Sequence, residues 1–287
     1  MGSKWTKKDE KFIIDNYKLL TTTILSQKLN RTKIAVKNKI QKLGIKLDKK
    51  SKKERYKQRK QKHSINANFF IYPKNELIAG YLLGFIWADG YVNKKTNAIS
   101  VYITTKDMED IKKLFLKSGD WRTYNVIPKI GKPLTRIGCH CWKLHEFLTE
   151  NDYQNKSFLS PDKIVKDKSD IFLRGFWRGY LDGDGCYYLN AKNRKKIINL
   201  CGNKQQNWSA YTRMLKSLNC KFTKKINKTS SYVSICDADS ILNLVNYIYN
   251  NKYDGIGLKR KFAKAQQIKQ YIKERMNKMP WYYSSYS

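Results

Sequence analysis

Two aspartates in this chain close matching stretches of sequence. Residues 80–90 read GYLLGFIWADG and residues 175–185 read GFWRGYLDGDG, displaced by 95 positions. Gly80, Gly84, Ala88 and Asp89 therefore align with Gly175, Gly179, Gly183 and Asp184. Each stretch is apolar with a small residue at every fourth position, a spacing that gathers small side chains on one helix face. Two such faces let helix backbones approach to the lower limit of helix packing. Packed on each other, the helices would bring Asp89 and Asp184 side by side. Carboxylates so placed repel unless they share a proton or a divalent cation. This is an arrangement of active-site type.

The elements around each copy follow one order. After Asp89, alternation predicts strands at 91–95 and 98–104, where Ile99, Val101 and Ile103 alternate with Ser100, Tyr102 and Thr104. A helix at 106–117, strands near 122–129 and 134–141 and a helix at 142–150 follow. After Asp184 the pattern returns: strands at 186–192 and 195–201, a helix at 204–218, strands at 221–227 and 231–236, and a helix at 239–250. The fold class expected is α+β: a pseudo-twofold duplicated αββαββα unit forming a saddle. The polar sheet residues Asn93, Lys95, Asn97, Ser100, Tyr102, Arg136, Tyr188, Asn190, Lys192, Arg194, Lys195 and Asn199 are candidates for reading base edges.

The chain has 287 residues, with 59 Lys+Arg against 23 Asp+Glu and a net charge of +36. Such an excess predicts a polyanionic partner, and its interleaving with Tyr, Asn and Trp favours nucleic acid over a membrane. The longest apolar run, Leu77–Ala88, is too short to span a bilayer. The N-terminus has no signal-peptide pattern, and six scattered cysteines do not make a disulfide framework. These features predict an intracellular, unsecreted protein, in a phage-infected or bacterial cytoplasm or an organelle.

Residues 1–45 form a small helical unit. Thr6 with Asp9 and Glu10 predicts a capped helix start, a second helix runs from about Thr22 to Leu29, and Thr32 caps a third that Gly44 ends. The unit resembles a Myb/SANT-like helix-turn-helix, in which Lys33, Lys37, Asn38 and Lys42 would face a DNA groove or its phosphates. Residues 46–68 read as a basic linker along the phosphate backbone. The halves proper are set at 69–168 and 169–287, the second with a C-terminal helix and the aromatic tail Trp281–Tyr286, to which no role is assigned.

The motifs LLGFIWADG (82–90) and WRGYLDGDG (177–185) resemble the paired motifs of LAGLIDADG homing endonucleases, and the likeness covers roughly residues 70–275. The resemblance implies a divalent-metal-dependent endonuclease that cuts both DNA strands at a long target. It implies that Asp89 and Asp184, aided by the carbonyls of Ala88 and Gly183, hold two or three Mg²⁺ (or Mn²⁺) ions. It also implies a basic residue near each scissile phosphate, matched here by Lys156 and Lys261. Thr105 and Gly202 or Asn203 fall where relatives carry a water-ordering residue. Trp87 replaces the acid that the first motif usually has, whereas Asp182 keeps it in a role expected to be structural. With both motifs in one chain, a monomer and an asymmetric target are expected. An intron maturase binding RNA, or a non-cleaving regulator on the same scaffold, is the alternative. Cys139-His140-Cys141 with nearby His145 has the wrong spacing for zinc, and alternation makes the cysteines core and His140 outward.

Overall fold

The computed structural model describes residues 4–18, 20–46, 65–128, 131–249 and 253–278. The basic stretch 47–64 and the tail Trp281–Tyr286 lie outside the described residues. The chain divides into two compact units, Met1–Ser64 and Ile65–Ser287.

The first unit has three helices, α1 (Lys7–Asn16), α2 (Thr22–Lys28) and α3 (Lys33–Lys42). Their starts follow from side-chain chemistry. Thr6 and Asp9 form a reciprocal capping box, while Thr21 and Thr32 accept from Ile24 and Ala35 backbone N–H groups. Gly44 ends the unit's last helix in the left-handed conformation at φ +65°. Ile13, Leu25, Val36 and Ile40 make a core too small to stabilise much alone. Arg31 strengthens it: its guanidinium lies 4.6 Å over the Trp5 ring and 3.4 Å from the Asp9 carboxylate.

The second unit is an α+β fold with two four-stranded antiparallel sheets. A short α4 (Asn68–Ile71) precedes the first half: α5 (Glu76–Asp89), β1 (Gly90–Val92), β2 (Ala98–Thr104), α6 (Met108–Leu116), β3 (Arg122–Val126), β4 (Leu134–His140) and α7 (Trp142–Glu150). After α8 (Asp162–Val165) come α9 (Asp170–Asp184), β5 (Gly185–Asn190), β6 (Lys195–Asn203), α10 (Ser209–Ser217), β7 (Thr223–Ile226), β8 (Ser230–Ile235) and α11 (Ala238–Ile248). The twenty-residue α12 (Lys259–Lys278) follows. Strand order is β1-β2-β4-β3 in one sheet and β5-β6-β8-β7 in the other, so the duplication read from sequence is one of topology.

The halves meet through α5 and α9. Every residue from Ile78 to Ala88 is buried, as is every residue from Gly175 to Asp182, as expected of helices enclosed on all sides. A methyl group on Gly80 or Gly84 would strike the carbonyls of Phe172 or Phe176, and one on Gly175 or Gly179 those of Leu77 or Tyr81. Only glycine permits this approach. Ile99, Val101, Ile103 and Ile137 on one sheet, and Ile198, Leu200, Val233 and Ile235 on the other, belong to one apolar core with these helices. The opposite sheet faces carry Tyr91, Tyr102, Tyr124, Tyr188, Arg136 and Lys195, none of them buried.

Among the boundaries that differ from the sequence expectation, two have a visible cause. The helix predicted at 204–218 starts only at Ser209, because Asn203 and Asn207 side chains accept from Gln205 and Ser209 N–H groups and hold the approach in turns. The expected strand at 91–95 ends at Val92, where Asn93 Oδ1 accepts from the N–H groups of Lys95 and Thr96.

Candidate active site

The close crossing of α5 and α9 fixes where the motif aspartates end. Each is the last residue of its helix, followed by a glycine in extended conformation. Gly183 faces Ala88 and Asp89 directly: a methyl built on it would lie 3.1 Å from Asp89 Oδ2. Burial raises the pKa of Asp184, and the neighbouring Asp89 charge pushes it further, to about 6. Burial raises Asp89 as well, against the pull of Lys156, Lys261 and Arg260. The motif ends are thus close enough for Asp184 to feel the charge of Asp89, as the spacing of small residues required.

Two lysines complete the constellation. Lys156 Nζ donates to the carbonyls of Trp87, at 2.5 Å, and Ala88. Lys261 Nζ donates to the carbonyl of Gly185. Each ammonium sits at the carboxyl end of a motif helix, where free carbonyls and the helix dipole favour a cation. Burial lowers both lysine pKa values, opposed at Lys156 by Asp184 and Asp89 and at Lys261 chiefly by Asp182. The Ala88 carbonyl, expected to help bind a metal, is engaged here by the Lys156 ammonium. A cavity of about 210 Å³ opens beside the pair, lined by Trp87, Ala88, Lys156, Ser157, Tyr180, Asp184, Gly202, Asn203 and Gln206. Gly202 and Asn203 therefore lie at the site. Thr105 Oγ1 accepts from Thr135 Oγ1 at 3.3 Å.

Asp182 is fully enclosed. It accepts from Tyr81 Oη at 2.9 Å, Tyr249 Oη at 3.0 Å and the Leu258 N–H at 2.8 Å. Trp87, its counterpart, packs edge-on against the Tyr153 ring at 4.9 Å. Both residues are buried.

The sheet candidates divide. Tyr102, Lys95, Asn97, Tyr188, Lys192, Arg194 and Lys195 are exposed, and Arg136 and Asn199 are half-buried. Asn199 Oδ1 has no hydrogen-bond partner among the described residues. Ser100 shares their face but is 1 % exposed, paired with Tyr91 on one side and Gly138 on the other; it is closed off from solvent. Asn93 and Asn190 spend their side-chain carbonyls on turns, the latter on the Asn193 N–H. Tyr91, Arg122, Tyr124, Thr223 and Lys225 are exposed and in register with this face. Alternation through β3 and β7 would have found the last four. Lys33, Lys37, Asn38 and Lys42 are all exposed on α3, whereas Lys39 pairs with Glu10. Cys139 is buried and His140 exposed, as alternation required, and His145 Nε2 bonds the Asn93 carbonyl at 2.7 Å.

Comparison with known proteins places a family within this frame. Residues 172–249 match the LAGLIDADG-like domain, spanning α9 to α11. No curated protein matches the chain. Among solved structures, the N-terminal LAGLIDADG domain of WhiA is similar at 14% identity, with 66% of this chain and 89% of that one covered and a TM-score of 0.44. Mesophilic variants of the homing endonuclease I-DmoI reach 16% identity, 68% and 100% coverage and 0.45. The meganuclease I-SmaMI, bound to uncleavable DNA, reaches 13%, 69% and 91%, and 0.44. No helix among the described residues is long and apolar enough to cross a membrane.

Proposed function

We propose that the chain is a site-specific, divalent-metal-dependent endonuclease that cuts both strands of duplex DNA. The observation that carries this reading is the meeting of Asp89 and Asp184 at the ends of two glycine-faced helices, with a lysine at each end. Buried hard oxygen donors, one of them raised by the charge of the other, suit Mg²⁺ or Mn²⁺. A bound divalent cation would activate water, neutralise phosphate charge and stabilise the leaving 3′ oxygen.

The protein's own groups do the rest. Asp89 and Asp184 supply the carboxylates between the two scissile phosphates, with the Ala88 and Gly183 carbonyls beside them. Lys156 and Lys261 hold positive charge where negative charge grows on phosphate. Exposed Tyr, Lys and Arg on the open sheet faces bind the duplex, and Arg136 and Asn199 offer groups suited to base edges. The three-helix unit adds phosphate contacts through α3, in the manner of a helix-turn-helix. One chain supplies both motifs, so a monomer acting on an asymmetric target follows.

Selection for cleavage from a randomised duplex library, with Mg²⁺ and with EDTA, tests the proposal. A metal-dependent, non-palindromic consensus is expected. Tight binding with no strand cut under any divalent metal would instead mark a non-cleaving regulator. Preference for a folded intron RNA over duplex at matched salt would mark a maturase.

A further inference from the structure

The two motifs differ at the residue two before each aspartate, Trp87 in one and Asp182 in the other, and the difference reaches both lysines. Asp182 accepts the Leu258 N–H at 2.8 Å. The Leu258 carbonyl in turn accepts the Lys261 N–H at 3.0 Å and the Phe262 N–H at 3.1 Å. Leu258 thus starts α12, and Asp182 fixes that start. Gly257, at φ +85°, passes so close that a methyl there would strike Asp182 Oδ2. Arg178, one turn earlier on α9, holds the same strap by Asp254 at 2.9 Å and by the Ile256 carbonyl. The Lys261 ammonium then returns to Gly185, three residues past Asp182. The loop is closed: the motif grips the strap at one point and receives the lysine at another.

The first half closes the same loop with other chemistry. Trp87 packs on Tyr153, which lies three residues ahead of Lys156 as Leu258 lies three ahead of Lys261. Tyr153 Oη donates to the Leu83 carbonyl at 2.8 Å, and Leu83 aligns with Arg178. Lys156 returns its ammonium to Trp87 and Ala88. Where the second half uses a buried arginine and carboxylate, the first uses an aromatic pair and one phenol. Trp87, Tyr153 and Asp182 are each no more than 2 % exposed, so their side chains act chiefly through the residues packed on them.

We propose that Trp87 and Asp182 are positioning residues, each setting the lysine of its own half by gripping the segment that carries it. The lysines' part in strand cutting rests on the nuclease reading above; their placement does not.

Amine labelling read residue by residue by mass spectrometry tests the placement without DNA. Asp182→Leu, which removes all three acceptor bonds, raises labelling of Lys261 about tenfold, the population shift expected on losing a buried hydrogen-bonded group. Lys156 stays at its wild-type rate. Trp87→Leu does the reverse, and the conservative Asp182→Asn and Trp87→Phe restore most of the wild-type pattern. Lys269, 8 % exposed on the same helix as Lys261, is the internal reference. Equal release of both lysines, release of neither, or a matching rise at Lys269 would overturn the proposal. Should Asp182→Leu fail to fold, Tyr249→Phe removes one bond to the carboxylate and gives the same answer at smaller amplitude. On a duplex labelled on both strands, Asp182→Leu and Lys261→Ala slow one strand, and Trp87→Leu and Lys156→Ala the other. If wild type cuts neither strand, the nuclease reading fails while the labelling still decides the placement.

Discussion

Asp184 carries a cost that can be measured without any substrate. Its carboxyl is pushed up to about 6 from an ordinary value of 3.8 by burial and by Asp89. Between those values the folded chain holds a proton that the unfolded chain has released. Stability therefore falls as pH climbs through this window, and the deficit persists above it. In metal-free buffer, Asp184→Asn is expected to stabilise the protein by about 2 kcal/mol near pH 8, with the gain fading below about pH 4. Denaturant unfolding across pH checks this, and a variant less stable than wild type near pH 8 would contradict it. Added Mg²⁺ reverses the order, stabilising wild type and leaving the variant unchanged. At this scale the sequence was informative where chemistry repeats: both aspartates, the lysines and the inward Asp182 were legible. Ser100, Asn93 and Asn190 were not, because strand parity cannot show a neighbour's ring or a turn's hydrogen bond.

At the scale of elements, the glycine stripes of α5 and α9 decide whether there is a site at all. A methyl on Gly84 or Gly179 meets a backbone carbonyl of the partner helix, which cannot rotate away. Gly84→Ala and Gly179→Ala are each expected to cost at least about 3 kcal/mol by thermal unfolding. Both would lose any activity together with the fold. In the three-helix unit, Thr32→Ala removes the cap on the Ala35 N–H and should cost about 1 kcal/mol. Circular dichroism of that unit reads the change. The caps, the glycine stop and the order of elements could all be read from residue types and periods. The start of α10 could not, since two asparagine side chains delay it. Nor could the hold of α12 on the first half, where Arg260 Nε meets both oxygens of Asp107 at 2.9 and 3.0 Å and the Lys259 N–H meets Asp110 at 3.0 Å. A contact across some 150 positions leaves no local signal.

For the whole molecule, a charge of +36 sets the balance between grip and selectivity. Binding should weaken steeply with salt, each neutralised phosphate adding about 0.9 to the slope of log affinity against log salt. The chain beginning at Ile65 forms a compact unit of its own, with both motifs inside it. Deleting residues 1–64 is therefore expected to lower affinity and flatten the salt slope while leaving metal-dependent cutting in place. Filter binding and cleavage on one duplex separate the two effects. Full loss of cutting at saturating protein would show that the three-helix unit belongs to the catalytic assembly. The duplicated architecture was legible because the two motifs head the same run of elements. A target is not written in any one element; on the proposed reading it would depend on which exposed side chains of both sheets meet bases.

The central claim is that Asp89 and Asp184 form one metal-dependent site. Its most direct test is strand cleavage of a selected duplex by wild type, Asp89→Asn and Asp184→Asn, with Mg²⁺ and with EDTA. The account predicts double-strand cutting by wild type with Mg²⁺ alone, and a loss of at least about a thousandfold in either variant while duplex affinity is kept. Wild-type rates in both variants, or cutting that survives EDTA, would contradict it.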